Sequence, residues 1–327
     1  MGRGVWHAGS DYANPRPVSR IASLAPRALR ARFDALPGAV RGAAWMTLTG
    51  ALFSLNSAAV REIAHEVHPF EIAFFRSLIG LPLMLPWLLG VGLAGLATRN
   101  RGLYVARGTL SGVATMLWFL ALALIPIADA TAISFVSPIV TSIAAMVILR
   151  ETMGLNRWTA VACGFAGVVV ILRPGFAEVN TGTWLVLAST LCVAFNSVMV
   201  KTATRTDSPD TIAFYQIAIM VPVTFVPALF FWSWPTWHGW LWIAVIAVIS
   251  TTAHRTLGRA FAAADVTAIQ PFDFLRMPFA VAIGWAMFSE LPDAWTWAGA
   301  IVIFASSAYI AQREAAARRR ARAKAAR

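Results

Sequence analysis

Apolar runs bounded by charged residues or by proline and glycine recur ten times along this chain of 327 residues. They lie near 42–62, 70–92, 102–125, 129–149, 157–173, 182–201, 211–232, 239–260, 266–288 and 294–312. A helix rises about 1.5 Å per residue, so about 20 apolar residues bridge a hydrocarbon core of about 30 Å. The spacing therefore predicts an all-α polytopic membrane protein with ten transmembrane helices. Composition points the same way. The chain is 58% hydrophobic and 13% charged, with mean hydropathy +0.67. A soluble domain carries about a quarter charged residues. An ordinary globular enzyme, a disordered chain and a disulfide scaffold are excluded. Cys163 and Cys192 are the two cysteines, both inside apolar runs, and read as small core residues rather than a disulfide or metal site.

The second span opens Pro69, Ile72-Ala73-Phe74-Phe75, with Pro82 beyond, and 140 residues later stand Pro209, Ile212-Ala213-Phe214-Tyr215 and Pro222. At the same offset Asn56-Ser57, Val60 and Arg61 meet Asn196-Ser197, Val200 and Lys201. Ala128-Asp129-Ala130-Thr131-Ala132-Ile133 returns as Ala264-Asp265-Val266-Thr267-Ala268-Ile269, and Glu151 with Trp158 returns as Glu290 with Trp297. Each copy holds five spans, an odd number, so the second must be inverted in the membrane. The expected organisation is two inverted five-helix repeats, 42–175 and 182–312, between a basic tail at 1–41 and another at 313–327. Inverted repeats are a common plan of secondary transporters, with the substrate near the midplane and one half rocking against the other.

The formal charge of +12 would suit a nucleic-acid binder, but position decides otherwise. The two tails hold +11, while 42–312 has thirteen basic and twelve acidic residues. No folded soluble surface exists on which a nucleic-acid face would be built. The tails read as juxtamembrane segments near anionic headgroups. The stretch 21–36 is either a basic amphipathic helix on the membrane or a plain disordered tail. No apolar core of a secretory signal occurs in 1–41. With both termini inside, the inner loops hold Arg99, Arg101, Arg150, Arg157, Lys201, Arg205, Arg255 and Arg259, and the outer loops only Arg61 and Arg173. That bias predicts cytoplasmic termini in an inner, plasma membrane. The tryptophans Trp232, Trp234, Trp237, Trp240 and Trp242 are expected at an interfacial aromatic belt.

Over roughly 42–312 the chain resembles the drug/metabolite transporter superfamily, specifically its ten-helix EamA-type transporters. The resemblance is carried by the duplicated unit, by Ile125-Pro126-Ile127-Ala128-Asp129-Ala130-Thr131-Ala132 leading into Ser137-Pro138, by Glu151 with Trp158, and by Pro271-Phe272-Asp273-Phe274-Leu275-Arg276. The first three spans look like the branch that includes S-adenosylmethionine and riboflavin uptake carriers. The resemblance implies a central cavity lined by spans 1–4 and 6–9, with the fifth and tenth peripheral.

Charge at bilayer depth costs at least about 2.5–3.5 kcal/mol, so each such group needs a partner, an escape route or a function. Arg276 falls near mid-bilayer of the ninth span, with Asp273 three residues earlier on the same face. They read as a structural ion pair, or as a cavity pair in which Asp273 carries a coupling proton or Arg276 meets an anionic substrate group. Aligned on the Ala-Asp segments, Gln270 and Asp273 fall on Ser134 and Ser137, beside Pro271 and Pro138. Paired polar, proline-broken helices would suit a midplane site. Arg76 is a cavity or gate residue, or an ion-pair partner of Glu71; Arg107 lines the cavity or snorkels. Arg255 and Arg259 are expected to snorkel to the cytoplasmic end. His254 is either a titrating group or a hydrogen-bonded core histidine. Asn56 and Asn196 glue helices together or touch substrate. Trp118, Phe119, Tyr215 and Trp285 either pack or offer stacking surfaces. His65-Glu66-Val67-His68 lacks the spacing of a zinc helix and reads as solvated loop.

The expectation is a secondary active transporter, not an enzyme. It needs no cofactor and no nucleic-acid partner, and moves a small polar or amphipathic metabolite by alternating access with proton coupling or exchange. It works among membrane lipids as a monomer or a homodimer. An intramembrane enzyme on lipid-borne substrates would need a catalytic constellation at one depth, and none is visible. A channel would show a continuous polar face.

Overall fold

The computed structural model describes residues 33–92, 96–98, 100–137, 139–140, 143, 155–172, 180–203, 206–264, 269, 272–306 and 309. The basic tails beyond them, with Gln270, Pro138, Pro271 and Glu151, lie outside the described residues. Among the described residues, helices follow each of the ten apolar runs: α1 (Gly38–Ile63), α2 (Pro69–Val91), α3 (Arg101–Leu122), α4 (Ile127–Ser134), α5 (Leu155–Leu172), α6 (Thr181–Ala203), α7 (Pro209–Ala228), α8 (Trp237–Ala263), α9 (Arg276–Phe288) and α10 (Ala294–Ser306). By length and apolar composition, the stretches Pro69–Val91, Arg101–Leu122, Asp210–Phe231 and Trp237–Ala263 each suffice to cross a bilayer. The fold is an all-α polytopic membrane fold.

The same local devices start equivalent helices in the two halves. His68 caps α2 in a capping box with Glu71, and Pro69 occupies the first helical turn. Ser208 caps α7 by accepting from the Thr211 amide at 3.2 Å, again with a proline next. Pro82 and Pro222 sit inside these helices at matching positions.

Helix pairing obeys a two-fold rule. The most extensive packing joins α1 to α8 and α3 to α6, and these pairs exchange when each helix is replaced by the one five further along. So do α3 with α7 and α2 with α8, and α1 with α9 and α4 with α6. The pairs α2–α7 and α4–α9 map onto themselves and therefore lie on the axis. The fifth and tenth helices meet at Gly167 and Gly299, where a Cβ on Gly299 would lie 2.5 Å from the Gly167 carbonyl oxygen. Phe165 and Ile301, on the same two helices, face outward. Cys163 is also outward-facing. Its apolar surroundings are the bundle's exterior, so the expected core position is corrected.

The fourth and ninth spans are not continuous helices. α4 ends at Ser134 and a turn at Phe135–Val136 follows, while Phe272 and Asp273 are helical, Phe274–Leu275 form a turn and α9 begins at Arg276. Pro278 lies in the first turn of α9, where its missing N–H is tolerated. The two breaks stand 139 residues apart. Aligned on them, Asp273 matches Ser134 and Arg276 matches Ser137, three positions away from the alignment on the Ala-Asp segments.

Candidate substrate site

The breaks meet at the axis. Phe135 and Phe274 pack with centroids 4.7 Å apart. Arg276 lies 5.4 Å over the Phe135 ring and donates to the Ser134 hydroxyl at 2.9 Å. Its carbonyl oxygen accepts from Ser54 at 3.0 Å, and Gly50 of α1 lets the Arg276 backbone approach. No Asp273–Arg276 ion pair forms; the break turns the arginine toward the other half instead. Ser137 makes no hydrogen bond, and Ser134 also donates to the Thr131 carbonyl at 2.7 Å.

A cavity of about 30 Å³ lies between α2, α7 and α8. Arg76, Ser77, Gln216, Ser250, Thr251 and His254 supply its polar wall, and Gly80, Ala213, Ile217 and Met220 the rest. Arg76 donates to the Ser250 hydroxyl and lies 5.4 Å over the Phe119 ring. It does not pair with Glu71, whose carboxylate accepts from the Ser233 amide at 2.7 Å and hydroxyl at 3.0 Å. Arg107 does not snorkel: it is 5% exposed, and donates to the Ile212 carbonyl at 2.9 Å and to Gln216 Oε1 at 2.6 Å. His254 donates from Nδ1 to the Ser250 carbonyl at 2.7 Å and meets the Phe53 ring edge-on. In the neutral ring that bond leaves the lone pair on Nε2. The cavity's volume is far below the about 300–1,000 Å³ of an ordinary solute site.

Both ends are closed by contacts that join the halves. At one end Arg61 forms an ion pair with Glu290, donates to the Ile125 carbonyl at 2.5 Å and lies 5.2 Å over Phe288. Burial pushes the Glu290 carboxyl up, against the pull of Arg61. Beside it, Thr296 donates to Asp129 at 2.9 Å. Glu66 accepts from Thr236 and, at 3.0 Å, from His238 Nδ1; these bonds hold its carboxyl below the usual range. His68 stacks on Phe231 at 3.9 Å. The 65–68 loop, expected to be solvated, is thus docked around the α7–α8 connection, where Thr236, His238 and Phe231 meet it.

At the opposite end Asp207 accepts from Thr98 at 3.0 Å and from Tyr104 at 2.8 Å. Tyr215 stacks on Tyr104 at 4.8 Å and donates to the Leu96 carbonyl at 2.6 Å. It belongs to this closure rather than to the cavity wall. Arg259 lies 5.1 Å over the Trp45 ring near the same end. Trp118 packs on the main core, and Trp285 faces outward at 62% exposure. Asn56 and Asn196 each keep a buried Oδ1 without a partner, and neither bonds across helices.

Gln216 and Ser250 carry no signal in the sequence, since one polar residue in an apolar run has no depth or facing of its own. Gly108 and Gly112, four apart on α3, are a readable signal: they let α7 approach, a Cβ there falling 2.5 and 2.8 Å from Ile219 and Val223.

The EamA-like transporter family model matches residues 40–173 and again 180–312. A riboflavin transporter of Vibrio cholerae is 32% identical over 86% of this chain and 97% of its own. An S-adenosylmethionine uptake transporter of Rickettsia prowazekii is 27% identical over 85% of this chain and 94% of its own. A solved crystal structure, 17% identical, shares the fold with TM-score 0.59, covering 84% of this chain and 98% of the other. Twice-matched halves, helices paired by a two-fold rule and full-length relatives named as transporters lead to one assignment: the chain belongs to the EamA-like transporter family.

Proposed function

We propose that this multi-pass protein carries a small polar or amphipathic metabolite across a bacterial inner membrane by alternating access, with riboflavin-like and S-adenosylmethionine-like solutes as the first candidates. The observation that carries the reading is the cavity of Arg76, Gln216, Ser250 and His254 between α2, α7 and α8, closed at each end by bonds between the halves. Parting one set of bonds while the other holds exposes the cavity to one side at a time. The bias of loop arginines supports placing the Tyr104–Asp207 end and both termini in the cytoplasm. His254 and Asp273 are the groups proposed to couple transport to protons; the remaining membrane-embedded charges in the described site are arginines.

The test is uptake of labelled riboflavin, S-adenosylmethionine and an amino-acid mixture by the purified protein in liposomes, with and without a pH gradient. Saturable uptake of one of them, stimulated by the gradient in wild type but not in His254→Gln or Asp273→Asn, is expected. Uptake indifferent to both pH and these substitutions would remove proton coupling. Absence of saturable uptake of every solute, alongside a lipid-modifying activity, would overturn the transporter reading.

A further inference from the structure

Resting on the reading of this cavity as the substrate site, we infer that the solute presents an oxyanion, a carboxylate or a phosphate ester, to Arg76 and Gln216. The first ground is charge. Among the described residues no carboxylate lies within 4.0 Å of Arg76 or Arg107, although acids elsewhere in the fold have found partners: Glu290 on Arg61, Glu71 on Ser233 and Asp207 on Tyr104. Two guanidiniums are thus held inside the bundle by neutral groups alone, and each keeps a buried Nε without an acceptor. A buried cation left in that state is stabilised by any anion that reaches it.

The second ground is the direction of the hydrogen bonds. The Ser250 oxygen already accepts from Arg76, so its O–H is left to donate. Gln216 Oε1 already accepts from Arg107, so its amide NH2 is left to donate into the cavity that it lines. Each arginine occupies one acceptor position of the group next to it and leaves that group's own hydrogens free to donate. The wall then offers the Arg76 guanidinium, the Gln216 NH2 and the Ser250 and Thr251 hydroxyls as donors, against the Ser77 oxygen, whose own O–H is spent on the Ala73 carbonyl, and the His254 Nε2 lone pair as acceptors. A donor-rich wall around a fixed positive charge favours an acceptor-rich, negatively charged group, and guanidinium matches the fork of a carboxylate or phosphate.

The experiment uses two pairs of probes that differ only in the oxyanion: riboflavin 5′-phosphate against riboflavin, and S-adenosylmethionine against its methyl ester. Uptake into liposomes and the shift of the unfolding midpoint in detergent are read for each. The oxyanion member of at least one pair is expected to be preferred by about tenfold or more, the first pair reporting phosphate and the second carboxylate. Arg76→Gln should erase that preference and Arg76→Lys keep part of it. Arg101→Gln, which removes the same charge from the exposed start of α3, should leave it intact. If Arg76→Gln does not fold, the wild-type pairs alone decide. No preference in either pair overturns the inference, and if saturable uptake persists the transporter reading stands. Loss of saturable uptake for all four probes would instead bring down both.

Discussion

Two glycines in this bundle should answer the same substitution in opposite ways. A Cβ on Gly108 would sit 2.5 Å from the branched Cβ of Ile219, whereas one on Gly258 meets nothing within 4 Å. Gly108→Ala should therefore destabilise the protein by about 1–3 kcal/mol through overpacking. Gly258→Ala should stabilise it by about 0.5–1 kcal/mol through lost backbone freedom in the unfolded chain. Unfolding midpoints of the two variants in detergent check this; a fall for both or a rise for both would contradict the packing. Residue identity was readable from the sequence at such points, but partnership was not. Arg76 and Glu71, five apart on α2, look like neighbours in sequence, yet one reaches Ser250 and the other Ser233. Those partners lie far along the chain, and hydropathy carries no information on which way a helix is rotated about its axis.

At the scale of elements, the loop before α2 is held to the turn before α8 by Glu66, and this contact titrates. Its carboxyl lies below the ordinary value of 4.5 because Thr236 and His238 donate to the charged form. A carboxyl with a lowered folded pKa contributes stability that is present above its unfolded pKa and lost as pH falls through the folded one. Trp242 donates to His238 Nε2 at 2.9 Å and so keeps the proton of that ring on Nδ1, aimed at Glu66. Acidification from about pH 6 to about pH 4 should therefore lower the unfolding midpoint of wild type more than that of Glu66→Gln. Equal falls in both would show that the contact does not matter. The elements themselves were largely legible: caps, prolines and apolar runs place α1 to α3 and α5 to α8 within a few residues of their bounds. Pro138 and Pro271 mark the fourth and ninth spans as broken helices, and both are interrupted, but where each break falls was not legible, because the meeting of the two breaks at Phe135 and Phe274 is a contact between distant parts of the chain. Repeat alignment inside them slips by three residues for the same reason, and with it the partner assigned to Asp273.

For the whole molecule, closure at both ends around a cavity of about 30 Å³ is the property that matters. A carrier that works by alternating access must open each end in turn, so fixing either end should stop it. In a Cys163→Ala, Cys192→Ala background, cysteines at Arg61 and Glu290, or at Thr98 and Asp207, bridged by a short bismaleimide should each abolish uptake. Unbridged variants should retain more. Full uptake with either end bridged would be incompatible with rocking halves. A ten-span bundle in two related halves, with its excess charge in the tails rather than the core, follows from residue order, because hydropathy, repetition and charge are all recorded along one dimension. Only the folded arrangement brings Arg276 across to Ser134 rather than onto Asp273, and sets Arg76 on Ser250 and Arg107 on Gln216 around one cavity. Those outcomes depend on how helices from opposite halves rotate and approach, which residue order does not state.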